Sequence, residues 1–231
     1  TGEPFPAQLK KRLSEALPDL KLYSFYAQTE AGFITCLRAD EQKERPNSCG
    51  RPVPGVELRI VDENRNDLPP GDTGEILMRC GKPGLTAMTK YWKNPEATEA
   101  AFHDGWLITG DVGRLDQAGY LYFVDRAKDM IVSGGLNIYS REVEDALETH
   151  EAVNEAAVVP VPDSEFGEAV FAFVTLHPGK TVKEAELIEH CRKLIASYKK
   201  PRTVIPIEAL PRNSTGKVVK PILRKQAEEM V

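Results

Sequence analysis

No stretch of this 231-residue chain approaches the roughly 20 consecutive apolar residues that a membrane-spanning helix requires. No secretory leader pattern is present either. Cysteine is sparse: Cys36, Cys49, Cys80 and Cys191 form no C-x-x-C pair. That excludes a dithiol motif and a zinc ribbon, and free thiols in a reducing cytoplasm are expected. His103, His150, His177 and His190 show no ligand spacing with one another, so a side-chain metal cage is not expected. Clustered basic charge is missing too. The net charge is −5 and the densest basic pairs, Lys199-Lys200 and Arg224-Lys225, are short, so nothing points to nucleic acid. There is no internal repeat and no low-complexity tract. The chain starts at Thr1 and runs directly into Gly2-Glu3-Pro4, which reads as a piece of a longer protein. Its 41% apolar content is nevertheless ample for one large or two smaller cores.

What is there divides near residue 127. Leu9, Leu13, Ala16 and Leu17 recur at helical spacing over residues 6 to 17. Leu20 to Tyr26 reads as a short buried strand. Beyond the turn-rich Gly50 to Gly55, Val56 to Val61 and Glu75 to Met78 read as strands separated by polar and Pro-Gly turns. Asn94 to Ala101 predicts a helix with Pro95 in its first turn. Gly105 to Arg126 predicts strands around two turns, Asp111-Val112-Gly113 and Asp116 to Gly119. Ser140 is placed to cap a helix running to about Thr149, with Val143, Ala146 and Leu147 inward. Ala156 to Val161, Ala169 to Leu176 and Val204 to Ile207 read as strands. Thr181 to Glu184 has the form of a capping box ahead of a helix faced by Leu187, Ile188, Cys191, Leu194 and Ile195. A last helix begins near Pro221. The expected class is α+β: a β-rich portion over 1–127, then a small α+β domain over 128–231 of ordinary domain size.

Three blocks carry chemistry-bearing residues. Tyr26 to Glu30 reads YAQTE. Gly105 to Glu144 reads GWLITGDVGRLDQAGYLYFVDRAKDMIVSGGLNIYSREVE. Pro211 to Lys220 reads PRNSTGKVVK. Lys217 follows Ser214-Thr215-Gly216, where glycine permits an unusual backbone path and a flexible ammonium can reach far. Each block has a plainer reading: a surface lysine, a Thr-Glu helix cap, a core tyrosine, an aspartate in a turn, a β-turn with two glycines.

Together and in this order, the blocks resemble the adenylate-forming acyl-CoA synthetase family, the AMP-dependent synthetases and ligases, over nearly the whole chain. The resemblance implies activation of a carboxylic acid by ATP and transfer of the acyl group to coenzyme A. The 1–127 portion would then be the end of the large AMP-binding domain, and 128–231 its small mobile partner. Attack of a carboxylate on the α-phosphate joins two anions, so the site must supply cations and alignment. The resemblance gives that work to Lys217, which bridges the acid and the nucleotide. It assigns Glu30 to Mg²⁺, Thr29 to phosphate, Tyr26 to adenine, and Asp111 and Arg126 to ribose. One or two carboxylates with phosphate oxygens suit Mg²⁺, and a carboxylate can accept ribose hydroxyls. Lys128 falls at the hinge, where few residues need absorb the swing. Ser133, Gly134 and Gly135 fall where coenzyme A would pass. Asn137 stands where some relatives carry arginine and receives no role.

Two departures matter. Small-acid members of the family carry tryptophan at the position of Ala27, so a medium- or long-chain or aryl acid is expected. The family's Gly-rich phosphate loop is absent from these 231 residues, so the chain alone is expected to be inactive. The alternatives are a domain that loads a carrier protein, and a non-catalytic piece that binds nucleotide or coenzyme A. The terminal Glu228-Glu229-Met230-Val231 lacks the Ser-Lys-Leu peroxisomal address.

Overall fold

The computed structural model describes residues 7–80 and 87–231. Contacts divide the chain into two compact units, Thr1–Ala127 and Lys128–Val231.

The first unit opens with α1 (Ala7–Ala16). A three-stranded antiparallel sheet follows, ordered β1 (Ser24–Gln28), β2 (Gly32–Leu37), β3 (Arg51–Pro52). Next come β4 (Val56–Val61), β5 (Gly74–Cys80), α2 (Pro95–Ala100), β6 (Phe102–His103), β7 (Trp106–Leu115) and β8 (Leu121–Arg126). These strands form a second antiparallel sheet, ordered β4-β5-β7-β6, with β8 also paired to β7. Apolar residues at alternate positions face inward, as the strand period of two requires. Tyr26, Ala31 and Ile34 from the first sheet join Ile60, Ile76, Met78, Leu107 and Leu121 from the second in one core. That shared core fixes β1 and its following turn against β7.

A 3-10 turn (Ala127–Asp129) spans the division, and the second unit continues with β9 (Ile131–Ser133) and β10 (Leu136–Ile138), then α3 (Ser140–Glu148). β11 (Val153–Asp163) and β12 (Gly167–Leu176) form a long hairpin. α4 (Glu184–Leu194), a second 3-10 turn (Ser197–Lys199), β13 (Thr203–Pro206) and α5 (Lys220–Glu228) complete the unit. The sheet runs β10-β9-β12-β11, and β13 adds parallel to β12. Both faces of this sheet are covered, so its central strands read as nearly continuous apolar runs. Ala156, Val158, Val170 and Ala172 pack with Val143, Leu147, Leu187 and Cys191 of α3 and α4. Ala157, Val159, Phe171 and Phe173 pack with Leu223 and Ala227 of α5. Pro160 is accommodated because β11 lies at the sheet edge. The architecture is the expected one, a β-rich unit followed by a small α+β unit.

Several local expectations fail for identifiable reasons. The first strand begins at Ser24 rather than Leu20, and only Tyr26 is buried along it. Along α1 Leu9 is exposed, as is Leu17 just beyond its end, while Lys10 is buried, its Nζ donating to Pro46 O at 2.9 Å. Asp111-Val112-Gly113 is not a turn but the interior of β7, where the register with β8 shifts between Val112 and Gly113. The N-cap of α3 is Tyr139. Ser140, one residue inside, accepts from Lys220 Nζ at 2.6 Å. The predicted capping box does not form. Lys183 is the N-cap of α4, and Glu184 turns its carboxylate to the N–H of Val204 at 2.9 Å. Leu194 is exposed rather than on the buried face.

Candidate active site

In the first unit, β1 and β7 bring Tyr26, Gln28 and Asp111 together. Tyr26 and Gln28 share a face of β1 by the period of two, and that face looks at Asp111. The Tyr26 hydroxyl donates to Asp111 Oδ2 at 2.6 Å, and Gln28 Nε2 donates to the same oxygen at 2.6 Å. Gln28 Nε2 also reaches Thr109 O at 2.9 Å. The Thr109 hydroxyl ties β7 to β5 through Ile76 O at 2.7 Å. Arg126 Nε stands 2.9 Å from Asp111 Oδ1, yet off the hydrogen-bonding direction, so this buried oxygen keeps unused acceptor capacity.

Asp111 is only 2% exposed. Burial pushes its pKa above the ordinary aspartate value, opposed by the Tyr26 hydrogen bond, the Arg126 charge and the Gln28 hydrogen bond. Burial and the neighbouring carboxylate push the Tyr26 phenol far above its usual value, so it remains a donor. Tyr26 therefore sits in the core with its ring 6.4 Å from Phe123, and its polar end belongs to Asp111.

Thr29 and Glu30 lie in the turn between β1 and β2. Thr29 is exposed and Glu30 half-buried. Glu30 Oε1 accepts from the Tyr91 hydroxyl at 3.1 Å, which leaves Oε2 without a partner among the described residues. No group of three metal-ligating side chains stands among the described residues. A carboxylate with one oxygen open fits Mg²⁺, which takes few protein ligands. Ala27 is exposed on the opposite face of β1, near the exposed pair Phe25 and Phe33, whose rings are 4.9 Å apart.

The second unit carries the remaining candidates. Lys128, exposed, lies in the 3-10 turn at the division between the units. Ser133 ends β9, and Gly134-Gly135 makes the two-residue turn to β10 with φ of +58° and +78°. Such a primed turn needs positive φ at both positions, which glycine alone adopts freely. A side chain at 134 would also press on Phe166, 3.2 Å away. Val132, Leu136 and Phe166 are exposed around this turn.

Lys217 is exposed at the tip of the loop before α5, and its ammonium has no partner among the described residues. Gly216 has φ of +84°. Arg212 pairs with Val218 across the loop base, and its guanidinium donates to Gly216 O at 2.6 Å and to Glu155. Sequence reasoning passed over Gln28, Tyr91 and Asn213, which contact the candidate residues. Gln28 and Asn213 stand inside the quoted blocks; the Asp111 partner of Gln28 lies 83 residues away and is set by folding, whereas Asn213 bonds residues two and four positions on, a local Asx-type signal that the sequence offers.

The AMP-binding enzyme model matches residues 1–92, and the AMP-binding enzyme C-terminal domain model matches residues 142–217. A long-chain-fatty-acid–CoA ligase of Bacillus subtilis (strain 168) is 39% identical over 97% of this chain and 39% of its own length. The mitochondrial acyl-coenzyme A synthetase ACSM4 of Rattus norvegicus is 41% identical over 97% of this chain and 40% of its own. Among solved structures, ATP-bound MatB from Rhodopseudomonas palustris superimposes with a TM-score of 0.89 at 34% identity. That match covers 98% of this chain and 44% of MatB. The chain thus spans about two fifths of the length of the relatives it matches. It belongs to the adenylate-forming, AMP-binding acyl-CoA synthetase family.

Proposed function

We propose that the whole protein to which this chain contributes is an AMP-forming acyl-CoA ligase. The unused acceptor capacity of buried Asp111 Oδ1 is the observation that carries the reading. A buried carboxylate held by Tyr26 and Gln28, with an oxygen left for a further donor, suits a ribose hydroxyl. Arg126 beside it supplies a cation at the same place.

In the first half-reaction a carboxylate oxygen of the acid attacks the α-phosphorus of ATP. The bond from that phosphorus to the bridging oxygen breaks, leaving acyl-AMP and pyrophosphate. Lys217 is the cation that meets both anions, and Thr29 contacts phosphate. Mg²⁺ bound through Glu30 would neutralise phosphate charge. In the second half-reaction the sulfur of coenzyme A attacks the acyl carbonyl carbon, the carbon–oxygen bond to AMP breaks, and the thiol proton is released. Residues 1–127 form the end of the nucleotide-binding domain, and 128–231 form the small domain that turns about Lys128. Turning presents Ser133, Gly134 and Gly135 to the thiol. With alanine at position 27 the acyl wall is open, and the acid is medium- or long-chain or aryl.

The test is CoA-dependent AMP release by the whole protein across short, medium, long and aryl acids. Release with one of the larger acids supports the proposal. Pyrophosphate exchange without CoA dependence would replace it with carrier-protein loading, and release with acetate alone would overturn the substrate reading. The 231-residue chain by itself carries no Gly-rich phosphate loop. It is expected to show no pyrophosphate exchange, and robust exchange would refute that expectation.

A further inference from the structure

The loop that presents Lys217 is organised around one side-chain oxygen. Asn213 Oδ1 accepts the backbone N–H of Thr215 and that of Lys217, each at 3.0 Å, and the Thr215 hydroxyl at 2.8 Å. Two backbone donors converge on this atom, which settles which end of the amide is oxygen. The Asn213 backbone closes the same ring. Its N–H donates to Lys217 O at 2.9 Å, and its carbonyl accepts from Gly216 N at 3.0 Å. Asn213, Ser214, Thr215, Gly216 and Lys217 are all exposed, so apolar burial does not hold this shape. Hydrogen bonds must hold it while water competes for every donor.

We propose that Asn213 is the positioning residue for Lys217, fixing the backbone from which the adenylation lysine reaches. This rests on the role given to Lys217 above. A lysine side chain is flexible along its whole stem, so the protein can preorganise it only by fixing its Cα. Asn213 does so by a direct bond to the Lys217 N–H. Removing the side-chain oxygen frees the amides of Thr215 and Lys217 to water and loosens Lys217. Fold and binding surface stay untouched, because Asn213 packs against nothing in the core. An error of about 1 Å in placing a reacting group costs roughly 100-fold in rate, so a looser loop should cost about tenfold or more.

The experiment uses the whole protein, with Asn213→Ala, Asn213→Ser, Asn213→Asp and the control Lys217→Ala. Two readouts are taken: single-turnover adenylate formation at saturating ATP and acid, and thioester formation from supplied acyl-adenylate. Asn213→Ala should lower the adenylation rate about tenfold or more, with KM for ATP and acid little changed and the thiol step spared. Aspartate keeps the acceptor and should restore most of the rate, with serine between aspartate and alanine. The melting temperature should match that of the parent protein. Wild-type adenylation in Asn213→Ala, an equal loss in both half-reactions, or no recovery with aspartate overturns the proposal. If Lys217→Ala leaves adenylation intact, the role of Lys217 falls and Asn213 with it. If Lys217→Ala cripples adenylation while Asn213→Ala does nothing, the Asn213 proposal fails alone.

Discussion

Replacing Tyr26 with phenylalanine removes one oxygen and keeps the ring in the core, so the effect isolates the bond to Asp111. A hydrogen bond to a charged group contributes about 1.5–3 kcal/mol. Gln28 still donates to Asp111 Oδ2 and Arg126 still faces Oδ1, which places the expected loss at about 1.5–2 kcal/mol. The loss should depend on pH in a fixed direction. Burial raises the folded pKa of Asp111 above its unfolded value, and the Tyr26 bond pulls it part of the way back. Without that bond the folded pKa rises further. The penalty is therefore complete above the folded pKa of the variant, where Asp111 is ionised in both proteins. It shrinks as pH falls through the folded pKa of the variant and then that of the parent. Trp92 and Trp106 both lie in the first unit, so their fluorescence in urea titrations at several pH values reports it directly. A penalty that stays constant down to acid pH would refute the assignment of the bond to an ionised, buried carboxylate.

Other perturbations have equally definite outcomes. Lys220 Nζ lies 2.7 Å from Glu144 Oε1, and the glutamate side chain is only 7% exposed, so Lys220→Met strands a buried charge. The lysine is 20% exposed and Val158 N still donates to Glu144, so the cost belongs near the low end for buried pairs, about 3 kcal/mol. Calorimetry should show this, and Lys220→Met with Glu144→Leu should recover part of it; additive losses would refute the pairing. Lys217→Ala in the whole protein should cripple adenylate formation and largely spare thioester formation from supplied acyl-AMP, and a parallel loss would refute the assignment of Lys217 to the first half-reaction. Lys128→Pro should harm the thiol step more than adenylation, since it fixes φ at the hinge; an unaltered thiol step would remove position 128 from that role. Ala27→Trp should shift preference toward shorter acids, and an unchanged chain-length profile would refute Ala27 as the open wall.

How much of this was legible in the sequence follows the reach of each signal. Strands such as Val56 to Val61 and the long hairpin over Val153 to Leu176 were readable because their apolar residues and turns are local. Ser140 and Thr181-Glu184 misled because a capping signature states what a side chain can do locally, not what else it will meet. Ser140 meets Lys220, 80 residues away, and Glu184 meets Val204, 20 residues away. Asp111 read as a turn residue because Gly110 and Gly113 flank it, yet β7 continues through it. The strand bulges there and leaves the carboxylate under Tyr26 and Gln28.

The same reasoning explains why the motif residues were visible and their supports were not. YAQTE displayed Glu30 and Thr29 by resemblance. Nothing in the sequence said that the Gln28 amide would reach Asp111, 83 residues away, or that Tyr91 would take one oxygen of Glu30. Such supporting contacts are products of tertiary packing, and they decide which lone pairs stay open. In this chain they leave one oxygen of Asp111 and one of Glu30 available, and the Lys217 ammonium unpaired among the described residues. A carboxylate fully satisfied by its neighbours would have no capacity left for a ligand, and a lysine bonded at home could not reach one. Only for Asp111 is that incompleteness uncommon: among the described residues Asp111 Oδ1 and Gln42 Oε1 are the buried side-chain atoms left without a hydrogen bond, whereas an open oxygen on half-buried Glu30 and an unpaired ammonium on exposed Lys217 are shared with other surface positions.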